Sequence, residues 1–295
     1  MSEKPLGVNL VGLPVAERFP FAETKGKYIG IICNRDYFDH IIQMILEHYD
    51  LKKYTNTIFL LGSYIEIPIS ELKKLHKGKK IILYQLEQLF NLLDSPSDTH
   101  VSVFEQVNYL LKFKQEENFQ IWDMDEANIV FLDGCGVKVD KLKPLKYTYC
   151  LKRLENSENP KIDLLFYGSL TDRRANVIKQ ITRGFYWNKW SLVVLQGVDL
   201  QEIDSYIKNS KIILNLHHTE PFNRQEQPRI FYPVINDKCI LSESSVINYF
   251  GDSIVESPLS LIGTAIGSLL NEAKWKEVAS QASERYRNLS NVRSN

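Results

Sequence analysis

The chain has 295 residues, 44% of them hydrophobic and 24% charged, and its 36 basic and 36 acidic residues cancel to a formal net charge of +0. This is the composition of a soluble globular protein: no apolar run approaches the roughly 20 residues that cross a bilayer, so no transmembrane segment is expected. The balanced charge removes any bulk attraction to a polyanion such as duplex DNA, and the length suits two domains.

The opening MSEKPLGVNL lacks the basic start and apolar core of a secretory signal, which predicts a cytoplasmic protein. Tyr28 to Cys33 then reads as a buried parallel strand, followed by CNRDYFDH and a helix over Tyr37 to His48 with Phe38, Ile41, Ile42, Ile45 and Leu46 on one face. Asp36 lies between them, where a side chain either caps that helix or serves as a catalytic base, with His40 nearby. After a second strand, Thr57 to Leu61, comes a basic run of Lys73, Lys74, Lys77, Lys79 and Lys80 with His76. Such a run suits phosphates of nucleic acid or peripheral contact with an anionic membrane, but before a strand it reads first as a solvated connection.

Lys80 to Tyr84 forms the next strand, and YQLEQL follows it directly, placing Glu87 at a strand end. A helix over Val101 to Lys112 carries Val103, Val107 and Leu110, and Phe119 to Trp122 is a further strand. Asp123 and Asp125 then have the Asp-x-Asp spacing of a divalent-metal site, yet they open a helical segment, where capping and the helix dipole favour acids. The four cysteines, Cys33, Cys135, Cys150 and Cys239, have no paired spacing and read as reduced thiols.

The polar KRLENSENP, Lys152 to Pro160, has no apolar periodicity and reads as a linker. It separates a first domain, 1–154, from a second, 160–295. Beyond it the β-α rhythm restarts with IDLLFYGSLTDRR, Ile162 to Arg174: an apolar strand, a Gly168-Ser169 turn, then Arg173 and Arg174 at a helix start. Close backbone approach at glycine, unpaired helix N-H groups and fixed positive charge describe a site for phosphate or diphosphate. Two more strands end in polar groups, one at Gly197 and one, Lys211 to Leu216, at His217 and His218. A helix opening at Pro228 has Glu226 before it and Arg229 in its first turn, a second anion-binding element. The strand CILSE ends at Glu243, whose carboxylate suits a pair of vicinal ribose hydroxyls. The cluster Phe185, Tyr186, Trp187 and Trp190 is assigned no site, and the tail from Leu261 to Arg287 is helical. The fold class is α/β, with two doubly wound domains and a cleft between them.

The order DLLFYGSLTDRR, KIILNLHH, Glu226-x-x-Arg229 and CILSE resembles the donor-binding domain of GT-B glycosyltransferases, specifically bacterial and viral enzymes related to glycosyl transferases group 1. YQLEQL, IWDMDEANIVFL and LKPLKY are similar to the same group, so the likeness runs from Lys79 to Glu243. It implies two Rossmann-like domains, the first for acceptor and the second for donor, with the C-terminal helix packing back on the first. It further implies Gly168, Ser169, Arg173 or Arg174, and Arg229 around a donor diphosphate, Glu243 toward the ribose, and His217 and Glu226 near sugar or phosphates. Pro233 departs from the pattern, since it should kink or shorten the helix after Arg229, and the family's two-glutamate spacing is absent.

The activity expected is hexosyl or pentosyl transfer from a nucleotide sugar, a uridine diphosphate (UDP) sugar first, to a hydroxyl of a glycan or glycolipid. Glu87 is the leading base and Asp36 the second; the KKIILYQLEQL segment faintly resembles the base-bearing strand of phage DNA β-glucosyltransferases. A single displacement with inversion is expected, with no metal and no cofactor beyond the co-substrate. Two alternatives are transfer to hydroxymethylated bases in DNA, and a non-catalytic nucleotide-sugar binding protein.

Overall fold

The computed structural model describes residues 22–24, 27–33, 57–61, 68–76, 78–89, 102–145, 154–196, 198, 200–218 and 224–292. Asp36, the helix predicted over 37–48 and Gly197 lie outside the described residues. The chain divides into two compact units, Met1–Pro144 and Leu145–Asn295.

Unit one holds β1 (Ala22–Thr24), β2 (Lys27–Cys33), β3 (Thr57–Leu61), β4 (Lys80–Gln85), β5 (Phe119–Asp123) and β6 (Lys141–Leu142), paired in chain order. Among the described strands of this unit β1 and β2 pair antiparallel and the rest parallel. Its described helices are α1 (Ile69–His76), α2 (Val103–Lys114) and α3 (Glu126–Gly134). A sheet laid down in one direction with right-handed crossovers collects its helices on one face. Accordingly Leu60, Leu83 and Ile121 share one core cluster with Leu72, Leu110 and Phe113 from the helices. The alternate residues Phe59, Tyr84 and Trp122 point the other way, with edge-to-face ring centroids 5.7 and 6.5 Å apart. Ser102 closes a capping box with Glu105 and starts α2. Of the lysine run, Lys73 and Lys74 sit on the surface, paired with Glu116 at 2.6 Å and Glu71 at 2.7 Å.

Unit two is a wholly parallel sheet of β7 (Ile162–Tyr167), β8 (Leu192–Leu195), β9 (Ser210–Asn215), β10 (Cys239–Glu243) and β11 (Val255–Ser257). Its helices are α4 (Asp172–Asn188), α5 (Leu200–Lys208), α6 (Gln227–Ile235), α7 (Ile262–Asn271) and α8 (Lys274–Val292). The order β11-β10-β9-β7-β8 reverses direction between β7 and β9. Crossovers leave to opposite faces at that point and open a crevice at the strand ends, where ligands of doubly wound sheets bind. Tyr167-Gly168 and Leu216-His217 flank it.

The division at Pro144 falls earlier in the chain than the predicted linker. The described part of that polar stretch, 154–160, is fastened to unit two instead. Asn236 accepts from Leu154 N through Oδ1 at 2.5 Å and from Asn156 Nδ2 through its carbonyl at 2.8 Å. Ser157 N donates to the carbonyl of Lys208, which also accepts from Lys238 Nζ. Low apolar content identified a surface segment, but polar side chains can pin such a segment as well as leave it loose. Within unit two, Tyr286 of α8 packs between Phe231 and Phe250 and donates its hydroxyl to Leu145 O at 2.8 Å. No helix among the described residues is long and apolar enough to cross a membrane.

Candidate functional site

At the reversal point of unit two, β7 ends at Tyr167 and the chain turns through Gly168 at φ +131, a conformation that side chains with a Cβ rarely adopt. A Cβ on Gly168 would lie 2.8 Å from Arg229 Nη2 and 3.0 Å from Cζ, so the guanidinium occupies the space that glycine leaves. Thr171 then caps α4 by accepting from Arg174 N, which sets Arg173 and Arg174 in the first turn.

The two adjacent arginines have different surroundings. Arg174 is fully buried: Nε and Nη2 donate to Leu216 O, Nη1 to the carbonyl and hydroxyl of Ser169, and Nη2 to both oxygens of Glu226. Burial pulls its pKa down to about 10 against the pull of Glu226, which leaves it cationic at neutral pH. It is a strut that ties the β7 turn, the end of β9 and the start of α6 together. Arg173 instead grips Glu243 with both Nη atoms, at 3.0 and 2.5 Å, and donates to His217 O. Its side chain keeps 19% exposure, against 0% for Arg174. Of the two, Arg173 alone keeps side-chain surface.

Glu226 stands at the N-cap position of α6 but makes no cap hydrogen bond. Its carboxylate lies between Arg174 and Arg229, the latter at 2.6 Å through Nη1. Burial raises its pKa, but Arg229 and Arg174 outweigh that and hold the carboxyl below its ordinary range. Glu243 is buried at the end of β10 and also accepts from His217 N; burial is again outweighed, here by Arg173 and His217. His217 is 3% exposed, with Nε2 3.0 Å from Ser245 Oγ. Burial lowers its pKa and favours the neutral imidazole. Gly168, Ser169, Arg173, Arg174, His217, Glu226, Arg229 and Glu243 therefore form one connected cluster. Glu243 does not stand open to a ribose here, because Arg173 fills its carboxylate.

Pro233 does not end α6, which continues to Ile235. Proline removes the bond that residue 233 would donate to the carbonyl of Arg229, four residues earlier. Tyr167 supplies that bond instead, its hydroxyl donating to Arg229 O at 3.0 Å. Neither Tyr167 nor Ser245 stands out in the sequence as a site residue; the available signal for Tyr167 was a proline four residues after Arg229.

In unit one, Glu87 is half-buried just past β4. Its main chain is held at both ends: Glu87 N donates to Gln85 Oε1, and Glu87 O accepts from Asn128 Nδ2 at 2.7 Å. Asn128 also accepts from Leu89 N and donates to Asp123 Oδ1. Asp125 is the N-cap of α3, accepting from Ala127 N, so this acid serves the helix start as the sequence suggested. Asp123 is fully buried, and its Oδ2 has no hydrogen-bond partner. Burial pushes its pKa well up despite hydrogen bonds from Asp125 N and Asn128.

No family profile matches the sequence, and no curated protein sequence does. Among solved structures the chain is similar to a mutant of TarM from S. aureus, solved with fondaparinux, alpha-GlcNAc-glycerol and UDP, at 9% identity and TM-score 0.54. That likeness covers 81% of this chain and 53% of TarM, so the chain spans about half of that protein's length. It is also similar to sucrose-phosphate synthase from Thermosynechococcus elongatus, at 10% identity and TM-score 0.52, over 84% of this chain and 73% of the synthase. The likeness is one of fold, and the fold is GT-B, with two Rossmann-like domains.

Proposed function

We propose that the chain is a glycosyltransferase that moves a sugar from a nucleoside diphosphate sugar, a UDP sugar first, to a hydroxyl of a glycan or glycolipid. The observation that carries this reading is the Arg229 guanidinium lying over the Cβ-less Gly168 at the reversal point of a parallel sheet. Positive charge, a turn without a Cβ and the reversal point of a doubly wound sheet coincide there, a combination that suits a diphosphate. The TarM structure, which holds UDP, has the same fold and supports the choice of nucleotide.

In this reading the leaving diphosphate gains charge as the glycosidic bond breaks, and Arg229 and Arg173 stabilise it. Each must exchange a carboxylate for phosphate: Arg229 turns from Glu226, and Arg173 from Glu243. Glu243, once released, is available to the ribose hydroxyls. Arg174 keeps Glu226 in place and does not itself reach the donor. His217, neutral and bonded to Ser245, offers a hydrogen bond to the sugar or a phosphate. Glu87 takes the proton of the acceptor hydroxyl as that oxygen attacks, and the single displacement inverts the sugar carbon. Two guanidiniums supply the charge that a metal would otherwise provide.

Thermal-shift measurements with UDP, other nucleoside diphosphates and their sugars test donor binding, since a ligand of the folded state raises Tm. A silent panel would sink the proposal. Donor turnover is then followed with glycan, glycolipid and hydroxymethylated DNA acceptors. Binding without turnover on any of them means a nucleotide-sugar binding protein instead.

A further inference from the structure

We infer that Tyr167 and Pro233 act as a pair to position Arg229, so that a proline which weakens its own helix serves to hand the Arg229 carbonyl to the end of β7. The inference rests on Arg229 being a donor-diphosphate ligand. In an uninterrupted helix the carbonyl of Arg229 would be bound within α6, and the residue's position would be set by the helix alone. Pro233 frees that carbonyl, and the Tyr167 hydroxyl takes it at 3.0 Å.

The consequence is geometric. Tyr167 is the last residue of β7 and is bonded to Gly168, the turn over which the Arg229 guanidinium lies. The bond from Tyr167 therefore ties the main chain of Arg229 to the same turn that its side chain covers. Arg229 is fixed twice to that turn, once by its carbonyl and once by the fit of its guanidinium over glycine. Its Nη1 contact with Glu226, which the donor phosphate replaces, holds the side chain from the start of α6 until then. Burial raises the Tyr167 pKa, so its hydroxyl remains a donor throughout the neutral range. Tyr167 is a positioning residue: it acts on the ligand through Arg229.

A double-mutant cycle tests the pair, read by calorimetric binding of UDP and of inorganic pyrophosphate to the full chain, with Tm recorded for each variant. Tyr167→Phe should weaken both ligands by about tenfold, the loss expected when a half-buried carbonyl loses its partner and the arginine it carries drifts. Pro233→Ala restores to α6 an N-H that competes with the Tyr167 hydroxyl for the Arg229 carbonyl, and should weaken both ligands by about twofold. The distinctive result is rescue: Tyr167→Phe with Pro233→Ala should return to within about twofold of the parent, because the helix then satisfies the Arg229 carbonyl itself. A double mutant as weak as Tyr167→Phe overturns the inference. Arg229→Ala separates the two levels. If it is impaired while Tyr167→Phe binds normally, the positioning role is wrong; if it binds normally, the diphosphate reading falls and the inference with it.

Discussion

At the carboxyl ends of β4 and β5, unit one gathers amides and buried acids, whereas the described strand ends of β7, β9 and β10 in unit two gather ions. Around Asp123 the partners are the Asn128 amide and backbone N-H groups, and burial drives the acid toward its neutral form. Around Glu226 and Glu243 the partners are three guanidiniums, which hold both carboxylates charged against the same burial cost. A low-dielectric site can thus satisfy an acid by protonating it or by pairing it, and the choice sets what the site can exchange. Paired charges can trade partners with an anionic ligand. A neutral amide network cannot, and serves better to hold a loop such as the one carrying Glu87.

The contrast breaks most visibly at Arg174. Replacing it with methionine nearly keeps the volume but leaves the half-buried Glu226 beside a single arginine, and breaking a pair of which one partner is fully buried should cost about 3 kcal/mol, the low end for buried pairs. Urea unfolding should show that loss, and a parent-like midpoint would mean that the strut carries no load. Glu87→Gln should act on the other unit's chemistry alone: transfer falls by about a hundredfold or more, as loss of a general base does, while UDP binds as before. Equal losses of donor affinity and turnover would contradict the division of labour. Gly168→Ala is a smaller insult, costing roughly 1–3 kcal/mol of backbone strain at φ +131 and displacing Arg229, so both Tm and UDP affinity should drop.

The strand ends and their polar residues were legible in sequence, because small-residue turns and charged helix starts interrupt apolar runs at regular places. Arg173 and Arg174 were legible only as a pair. Adjacent helical positions point about 100° apart, and burial, which depends on β9 and α6, decides between them. The service of Tyr167 was hidden for a related reason: its partner is a backbone carbonyl, orphaned by a proline far along the chain. KRLENSENP reads as a linker because composition reports exposure, whereas Asn156, Lys208 and Asn236 show that an exposed segment can still be fastened. The opposite electrostatics of the two units could not be read at all from an overall charge of +0.

The gentlest test asks whether Asp123 is indeed the acid that unit one keeps neutral. Its folded pKa lies well above the ordinary value of 3.8, so the folded chain binds a proton that the unfolded chain has released once the pH exceeds about 4. Stability from this residue is therefore full in acid and declines as the pH rises, by at most about 1.4 kcal/mol per pH unit, until the folded pKa is passed. Glu226 and Glu243 impose the reverse trend, since their depressed values make stability fall as the pH drops below about 4.5. Comparing Asp123→Asn with the parent at each pH cancels those shared contributions. Asparagine matches the protonated acid in shape and keeps an oxygen for Asn128 and Asp125 N, so the two proteins should unfold alike near pH 4. Above that the variant should gain on the parent until the folded pKa is passed, and a difference that stays flat from pH 4 to 8 would place a charged carboxylate in the core of unit one and erase its contrast with unit two.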